Sequence, residues 1–221
     1  MGFDWAGQPP DQVSWQRYFK DAPAERPAGP HDSVATLADL GGVAVGCQGC
    51  GLRVGCRQVV FGEGPGTARL LLVGEGPGAT EDEVGRPFVG AAGQLLDRIL
   101  TAAGLSRAEV YITNVVKCRP PANRLPAPDE VAACRPYLER QIDLIRPAVI
   151  LCLGSLAAQT VIDRKALVTK VRGQWFSLHG AAVMATFHPA ALLRDPGKKP
   201  LVWQDIQAVR DRLAGQAAAG L

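Results

Sequence analysis

Two short unbroken apolar runs, Leu70–Val73 and Val149–Leu153, punctuate the chain. Each has the length of a strand buried on both faces. Val110–Val116 is a third strand-like run, and Trp175–Leu178 with Ala182–Thr186 predicts a hairpin or two edge strands. The segments between them carry helical spacing. Leu95, Leu96, Ile99 and Leu100 predict a helix over 94–103 that stops at Gly104. Pro128-Asp129-Glu130 opens another, which Pro136 must kink or restart before the amphipathic stretch Tyr137–Ile145. Leu156–Ile162 and Leu201–Leu213 complete the series. Near the start, Asp32-Ser33 reads as the N-cap of a helix running through Ala35, Leu37 and Leu40 towards Gly41. Residues 1–32, rich in Pro, Asp, Gln and Ala, read as an extension with a short helix over 11–20; residues 33–221 read as one domain. Alternating strands and helices predict an α/β fold, with a largely parallel sheet between two helical layers.

The first apolar run ends in Gly74-Glu75-Gly76-Pro77-Gly78. Glycines there let backbone approach a ligand or take positive φ, and open α/β sheets bind ligands at such strand ends. Glu75, Glu81, Asp82 and Glu83 surround the loop with carboxylates, and Arg86-Pro87-Phe88 presents a ring on a constrained turn. No Gly-Lys-Ser/Thr follows, so this is not a phosphate loop, and the glycine spacing does not fit a dinucleotide fingerprint. A tight strand-to-helix turn accounts for the spacing equally well.

Composition narrows the class. The chain has 221 residues, 47% hydrophobic and 20% charged, as expected of a globular cytoplasmic protein. No run approaches the ~18 apolar residues of a membrane span, and the N-terminus lacks the apolar core of a secretory signal. A net charge of +3 permits a polyanionic partner without requiring one.

Six cysteines are unlike a disulfide framework in a reducing compartment. Cys47-Gln48-Gly49-Cys50 is a close pair, and Cys118 and Cys134 are two distant singles. Such a quartet suits an iron–sulfur cluster, although zinc remains open on spacing alone. Cys56 is a spare, read as a packed thiol, and Cys152 falls inside a strand.

Taken together, Gly74-Glu75-Gly76-Pro77-Gly78, Gly85-Arg86-Pro87-Phe88-Val89-Gly90, Asn114-Val115-Val116-Lys117-Cys118-Arg119-Pro120-Pro121, Lys170-Val171-Arg172-Gly173 and Phe187-His188-Pro189 occur in that order. The chain resembles the family 4 uracil-DNA glycosylases, the iron–sulfur type of thermophiles and many bacteria, over about residues 43–213. The resemblance implies a three-layer fold around a central four-stranded, mainly parallel sheet. It implies a [4Fe–4S] cluster on Cys47, Cys50, Cys118 and Cys134. The implied reaction is hydrolysis of the bond between uracil and deoxyribose in single-stranded or duplex DNA, the first step of base excision repair. Two departures stand out: Ala190 where the family often has Ser after His-Pro, and Cys56 where a basic residue is common.

The resemblance assigns roles. His188 would donate to uracil O2 as negative charge grows there. Phe88 would stack on the extruded base, and Asn114 would read N3–H and O4. Gly74 would let the base approach the backbone. Glu75 and Gly76 would lie beside the sugar and the attacking water, with no carboxylate at 76, where other glycosylase families place an Asp. Glu81 would wall off the C5 side, braced by Asn123. Leu192, Leu193 and Arg194 would wedge into the vacated stack, the leucines in competition with core packing. Lys170, Arg172, Arg194, Arg119, Arg124, Lys198 and Lys199 would form a basic rim for phosphates.

The implied protein is a monomer, associated with the nucleoid, that binds uracil-containing DNA and no membrane; a sliding clamp stays open as a partner the sequence does not show. Two other readings are weighed. One is a relative that binds or cross-links uracil-DNA with little turnover, against which stands the lack of an inserted basic loop before His188. The other is an α/β hydrolase with structural zinc, but Ser155 lacks the Gly-x-Ser-x-Gly elbow.

Overall fold

The computed structural model describes Gly29 and residues 31–218. Five strands of these residues form one sheet: β1 (Leu70–Gly74), β2 (Tyr111–Asn114), β3 (Val149–Leu153), β4 (Phe176–Leu178) and β5 (Ala181–Thr186), in the order β2-β1-β3-β5-β4. β2, β1, β3 and β5 are mutually parallel, with Gly74 opposite Asn114 and Val73 opposite Cys152. The expected four parallel strands are therefore present. A fifth, β4, pairs antiparallel with β5. The hairpin reading holds for these two strands, but only β4 lies at the edge; β5 is interior.

The helices are α1 (Leu37–Val45), α2 (Leu52–Gly55), α3 (Ala79–Val84), α4 (Ala91–Ala102), α5 (Pro128–Ile145), α6 (Ser155–Val161), α7 (Val168–Val171), α8 (Pro189–Arg194) and α9 (Lys199–Ala218). Side-chain alternation sorts them into two layers. Leu71, Val73, Ile150, Cys152, Val183 and Ala185 point to the face covered by Leu138 and Ile142 of α5 and Ala157, Ala158 and Val161 of α6. Leu70, Leu72, Leu151, Leu153 and Met184 point to the face covered by Leu96 and Leu100 of α4 and Ile206 and Val209 of α9. Both sheet faces are dry, which explains the uninterrupted apolar runs.

Local expectations are corrected in places. The first helix is capped by Thr36, whose hydroxyl accepts from the Asp39 N–H, and not by Asp32-Ser33. α5 continues through Pro136 without a restart. α9 begins earlier than the apolar spacing suggests, at Lys199. Val115 and Val116 lie beyond β2 yet donate to Gly74 O and Glu75 O, extending the ladder into the loop. The short helix expected over 11–20 lies outside the described residues. No helix among the described residues is long and apolar enough to cross a membrane.

From β1 the chain crosses one way to β2 and later the other way to β3, so the carboxyl ends of β1 and β3 flank a topological switch point, where such sheets form a crevice.

Candidate active site

Because four strands run parallel, Gly74 (β1), Asn114 (β2), Gly154 (after β3) and His188 (after β5) all emerge at one edge of the sheet. A Cβ on Gly74 would land on Asn114 Oδ1 and on the tip of the Phe88 ring. The Phe88 and His188 rings have centroids 5.4 Å apart at 32°. Phe88, Asn114 and His188 thus converge. Gly154, at φ +95°, lets the His188 Cβ pack against its backbone.

Each side chain is held. Asn114 is buried, and its main-chain oxygen accepts from Lys117 Nζ at 2.7 Å. Lys117 also donates to Thr113 Oγ1 and Gln141 Oε1, each at 2.7 Å, and burial pushes its ammonium down to about 8. Asn114 Oδ1 is buried with no donor among the described residues. A desolvated acceptor costs about 1–3 kcal/mol unless a partner arrives.

His188 is the N-cap of α8, and its Nδ1 accepts from the Ala190 N–H at 3.2 Å. The lone pair on Nδ1 leaves the ring hydrogen of the neutral imidazole on Nε2. Burial, with Arg194 nearby, pushes His188 down to about 4, against the opposing pull of Glu81. His188 is therefore a neutral N–H donor at neutral pH. Ala190 contributes its main-chain N–H, which the exchange of Ser for Ala leaves untouched.

Phe88 sits at φ +51°, the left-handed region that non-glycine residues avoid. Glu81 Oε1 accepts from Val89 N (3.0 Å) and Gly90 N (2.8 Å), just beyond it. The Glu81 carboxylate is thereby bound to the Phe88 loop. Asn123 Oδ1 instead accepts from Arg119 Nε at 2.8 Å, so the bracing of Glu81 comes from main chain and not from Asn123. Glu75 is half-buried, and burial raises its carboxyl despite the opposing charge of Arg194. A Cβ on Gly76 would lie 2.8 Å from Val116 Cγ2, so a carboxylate there would have to displace Val116.

The expected DNA-contacting residues divide. Leu192 is 1% exposed and packs in the core with Ile206 and Val209, which corrects its reading as a wedge; Leu193 is 48% exposed. Arg194 and Lys170 are exposed. Arg172 departs from the rim: it forms a two-point pair with buried Asp205 (2.8 and 3.1 Å) and donates to Leu201 O. Arg124 likewise pairs with Glu130, and Lys198 with Asp195.

Cys47, Cys50, Cys118 and Cys134 line one small cavity, together with Arg53, Val116, Lys117 and Tyr137. Backbone N–H groups of Gly49 and Lys117 donate to the sulfurs of Cys47 and Cys134. Burial pushes Cys50 and Cys118 up, and Cys134 up to about 11. Arg53 Nε is buried with no acceptor among the described residues. No group of three or more His, Cys, Asp or Glu among the described residues is arranged to hold a metal ion. Cys56 is buried, as expected, beside Cys118, and donates to Gln58 O; Cys152 is buried in β3. Ser155 Oγ accepts from the Val168 N–H.

Sequence reasoning passed over Arg107, Arg53 and the anchoring role of Lys117. Only Lys117 left a signal: a charged residue directly after the apolar Val115-Val116 must find partners inside.

Comparison with known proteins bears on this arrangement. Residues 61–207 match the model of the Uracil DNA glycosylase superfamily. The chain is 47% identical over 170 residues to the type-4 uracil-DNA glycosylase of Thermotoga maritima, covering 74% of this chain and 88% of that one. It is 43% identical over 176 residues to the type-4 enzyme of Sulfurisphaera tokodaii (76% and 80% covered). A type-5 uracil-DNA glycosylase of Pyrobaculum aerophilum is 32% identical over 167 residues, covering 68% of this chain and 73% of that one.

Proposed function

Since the chain belongs to the uracil DNA glycosylase superfamily, on the side of its type-4 members, we propose how its own residues carry the reaction. The protein is a DNA glycosylase that hydrolyses the N-glycosidic bond of uracil in DNA, releasing the base and leaving an abasic site.

The observation that carries the reading is the buried Asn114 Oδ1, which meets no donor among the described residues and lies beside Phe88 and Gly74. A pyrimidine imide presents N3–H to such an acceptor, and the same side-chain amide can donate to O4. Cytosine has no proton on N3 and a donor at C4, so it mismatches at both points. The base reaches this position only after leaving the stack, at a cost of a few kcal/mol. Stacking on Phe88 returns about 1–3 kcal/mol by analogy with other base–aromatic contacts.

As the glycosidic bond breaks, charge grows on O2 and the sugar becomes oxocarbenium-like. His188, neutral and with its hydrogen on Nε2, donates to O2 without giving up a proton. A preorganised donor in a site shielded from water is worth several kcal/mol. Glu75, with its carboxyl raised by burial, is the base placed beside Gly76 to guide water to the sugar. Leu193 fills the gap left in the duplex, and Arg194, Lys170 and Arg119 take phosphates. We infer action on uracil in both single-stranded and duplex DNA, at the nucleoid.

Cys47, Cys50, Cys118 and Cys134 fit a [4Fe–4S] cluster by their chemistry: four thiols from three segments line one cavity. A sulfur-rich anionic group held there would supply the acceptor that Arg53 Nε lacks among the described residues. When bound, that group ties the segments flanking Asn114 together and adds one-electron redox capacity.

Incubation with a uracil-containing oligonucleotide, followed by alkaline cleavage, tests the reading. Strand breaks at uracil are expected, with none at thymine or cytosine; no break on single-stranded or guanine-paired uracil overturns it. His188 follows β5 by two residues, with no inserted loop, so a stable protein–DNA adduct on a denaturing gel is not expected.

A further inference from the structure

Phe88 is held in its left-handed conformation from two sides. Glu81 grips the N–H groups that follow it. On the other side stands Arg107, in the 3-10 turn Arg107–Glu109 just before β2. Its Nη2 donates to Pro87 O at 2.6 Å and its Nη1 to Phe88 O at 3.1 Å. The guanidinium is itself fixed: Nη1 meets Asp97 Oδ1 at 2.8 Å and Nε meets Glu63 Oε1 at 3.1 Å. Glu63 also takes two donors from Arg86, and these two arginines hold its carboxyl below the usual range.

The backbone around Glu63 is equally constrained. Gly62 (φ +141°) and Gly64 (φ +135°) flank it, and a Cβ on Gly64 would collide with Val110 O. Glu63 bridges Ile112 of β2 through N–H and carbonyl at 2.9 and 2.8 Å. Its carboxylate is therefore registered to the strand that carries Asn114. On the opposite side of the loop, a Cβ on Gly93 would fall on the Phe88 carbonyl.

The Arg107 and Glu81 contacts end on the main chain of Pro87, Phe88, Val89 and Gly90, at and around the residue whose ring faces His188. We propose that Arg107, anchored by Glu63 and Asp97, is a positioning residue for base recognition: it pins the Pro87 and Phe88 carbonyls and so fixes the stacking ring relative to Asn114. The inference rests on the functional reading above. A planar guanidinium can serve two carbonyls and two carboxylates at once; an ammonium cannot reproduce that fork.

A double-mutant cycle on the full-length protein tests this. Arg107→Lys, Phe88→Ala and the double variant are compared in single-turnover excision from a single-stranded uracil oligonucleotide, with thermal melting in parallel. Arg107→Lys is expected to lower kcat/KM at least tenfold in the wild-type background. In the Phe88→Ala background it is expected to lower it no more than threefold, because the ring it positions is gone. A role in stability alone would lower melting temperature and give losses that multiply. Multiplying losses, or wild-type excision by Arg107→Lys, overturn the proposal. Glu63→Gln, which loosens the anchor and leaves the carbonyl contacts, provides a second variant should Arg107→Lys not fold. Its loss must likewise vanish without the Phe88 ring. Absence of uracil release by the wild-type protein would instead overturn the functional reading.

Discussion

The Ala190 N–H donates to His188 Nδ1 across 3.2 Å, so the first turn of α8 fixes the tautomer of the imidazole that precedes it. Burial lowers the same ring to about 4. In the reading proposed above, this residue would act by hydrogen-bond donation from a neutral ring, not by proton delivery from a cation.

Excision should then show no fall between about pH 6 and 8, since His188 keeps one charge state across that range and deprotonating the Glu75 base can only raise the rate. Single-turnover rates check this. A tenfold fall between pH 6 and 8 would mean that a cation is required. The same shift bears on stability. In the unfolded chain His188 returns to its ordinary value near 6.5 and binds a proton that the folded protein refuses. Its contribution is complete above about 6.5 and is lost as pH falls towards 4, about 3 kcal/mol in total. Chemical denaturation of His188→Gln should show a shallower decline over that window.

The neighbouring leucines should separate cleanly. Leu192→Ala empties a core position and should cost about 2–5 kcal/mol of stability. Leu193→Ala should stay within about 0.5 kcal/mol of wild type, since the side chain is half in solvent. Its loss should slow excision from duplex DNA at least fivefold more than from single strands, where no stack needs filling. Equal slowing on both substrates would remove Leu193 from that role.

The cysteines make a colour test. Cys118→Ala and Cys134→Ala should lose iron and visible absorption together, while Cys56→Ala, whose thiol bonds Gln58 O, should keep both. Arg53→Leu should retain iron yet lower the reduction potential measured by voltammetry. A cation beside an anionic centre favours its more reduced, more negative state. An unchanged potential would mean that Arg53 turns elsewhere in solution.

How much of this was readable beforehand follows from how local each signal is. β1 and β3 were legible because burial on both faces leaves only apolar letters. Phe88, Asn114 and His188 were singled out through the family resemblance, and their convergence on one place is what the structure adds. The rim was not legible. Arg172 and Asp205 are 33 residues apart and meet only after β5 and α9 pack, so nothing local marks Arg172 as occupied. Leu192 and Leu193 differ only in which side of a helical turn faces the core. Arg107 left no trace because its targets on the Phe88 loop are carbonyl oxygens, which every residue possesses. β4 was readable as half a hairpin, but its place at the edge depends on which strand β5 joins.

The solitary oxygen of Asn114 has a consequence beyond choosing the base. The strain of desolvating it is relieved by any imide N–H that enters, whether or not a sugar is still attached. The detached product should therefore linger and compete with the next lesion. Millimolar free uracil should raise the melting temperature and slow successive turnovers, whereas free cytosine should do neither.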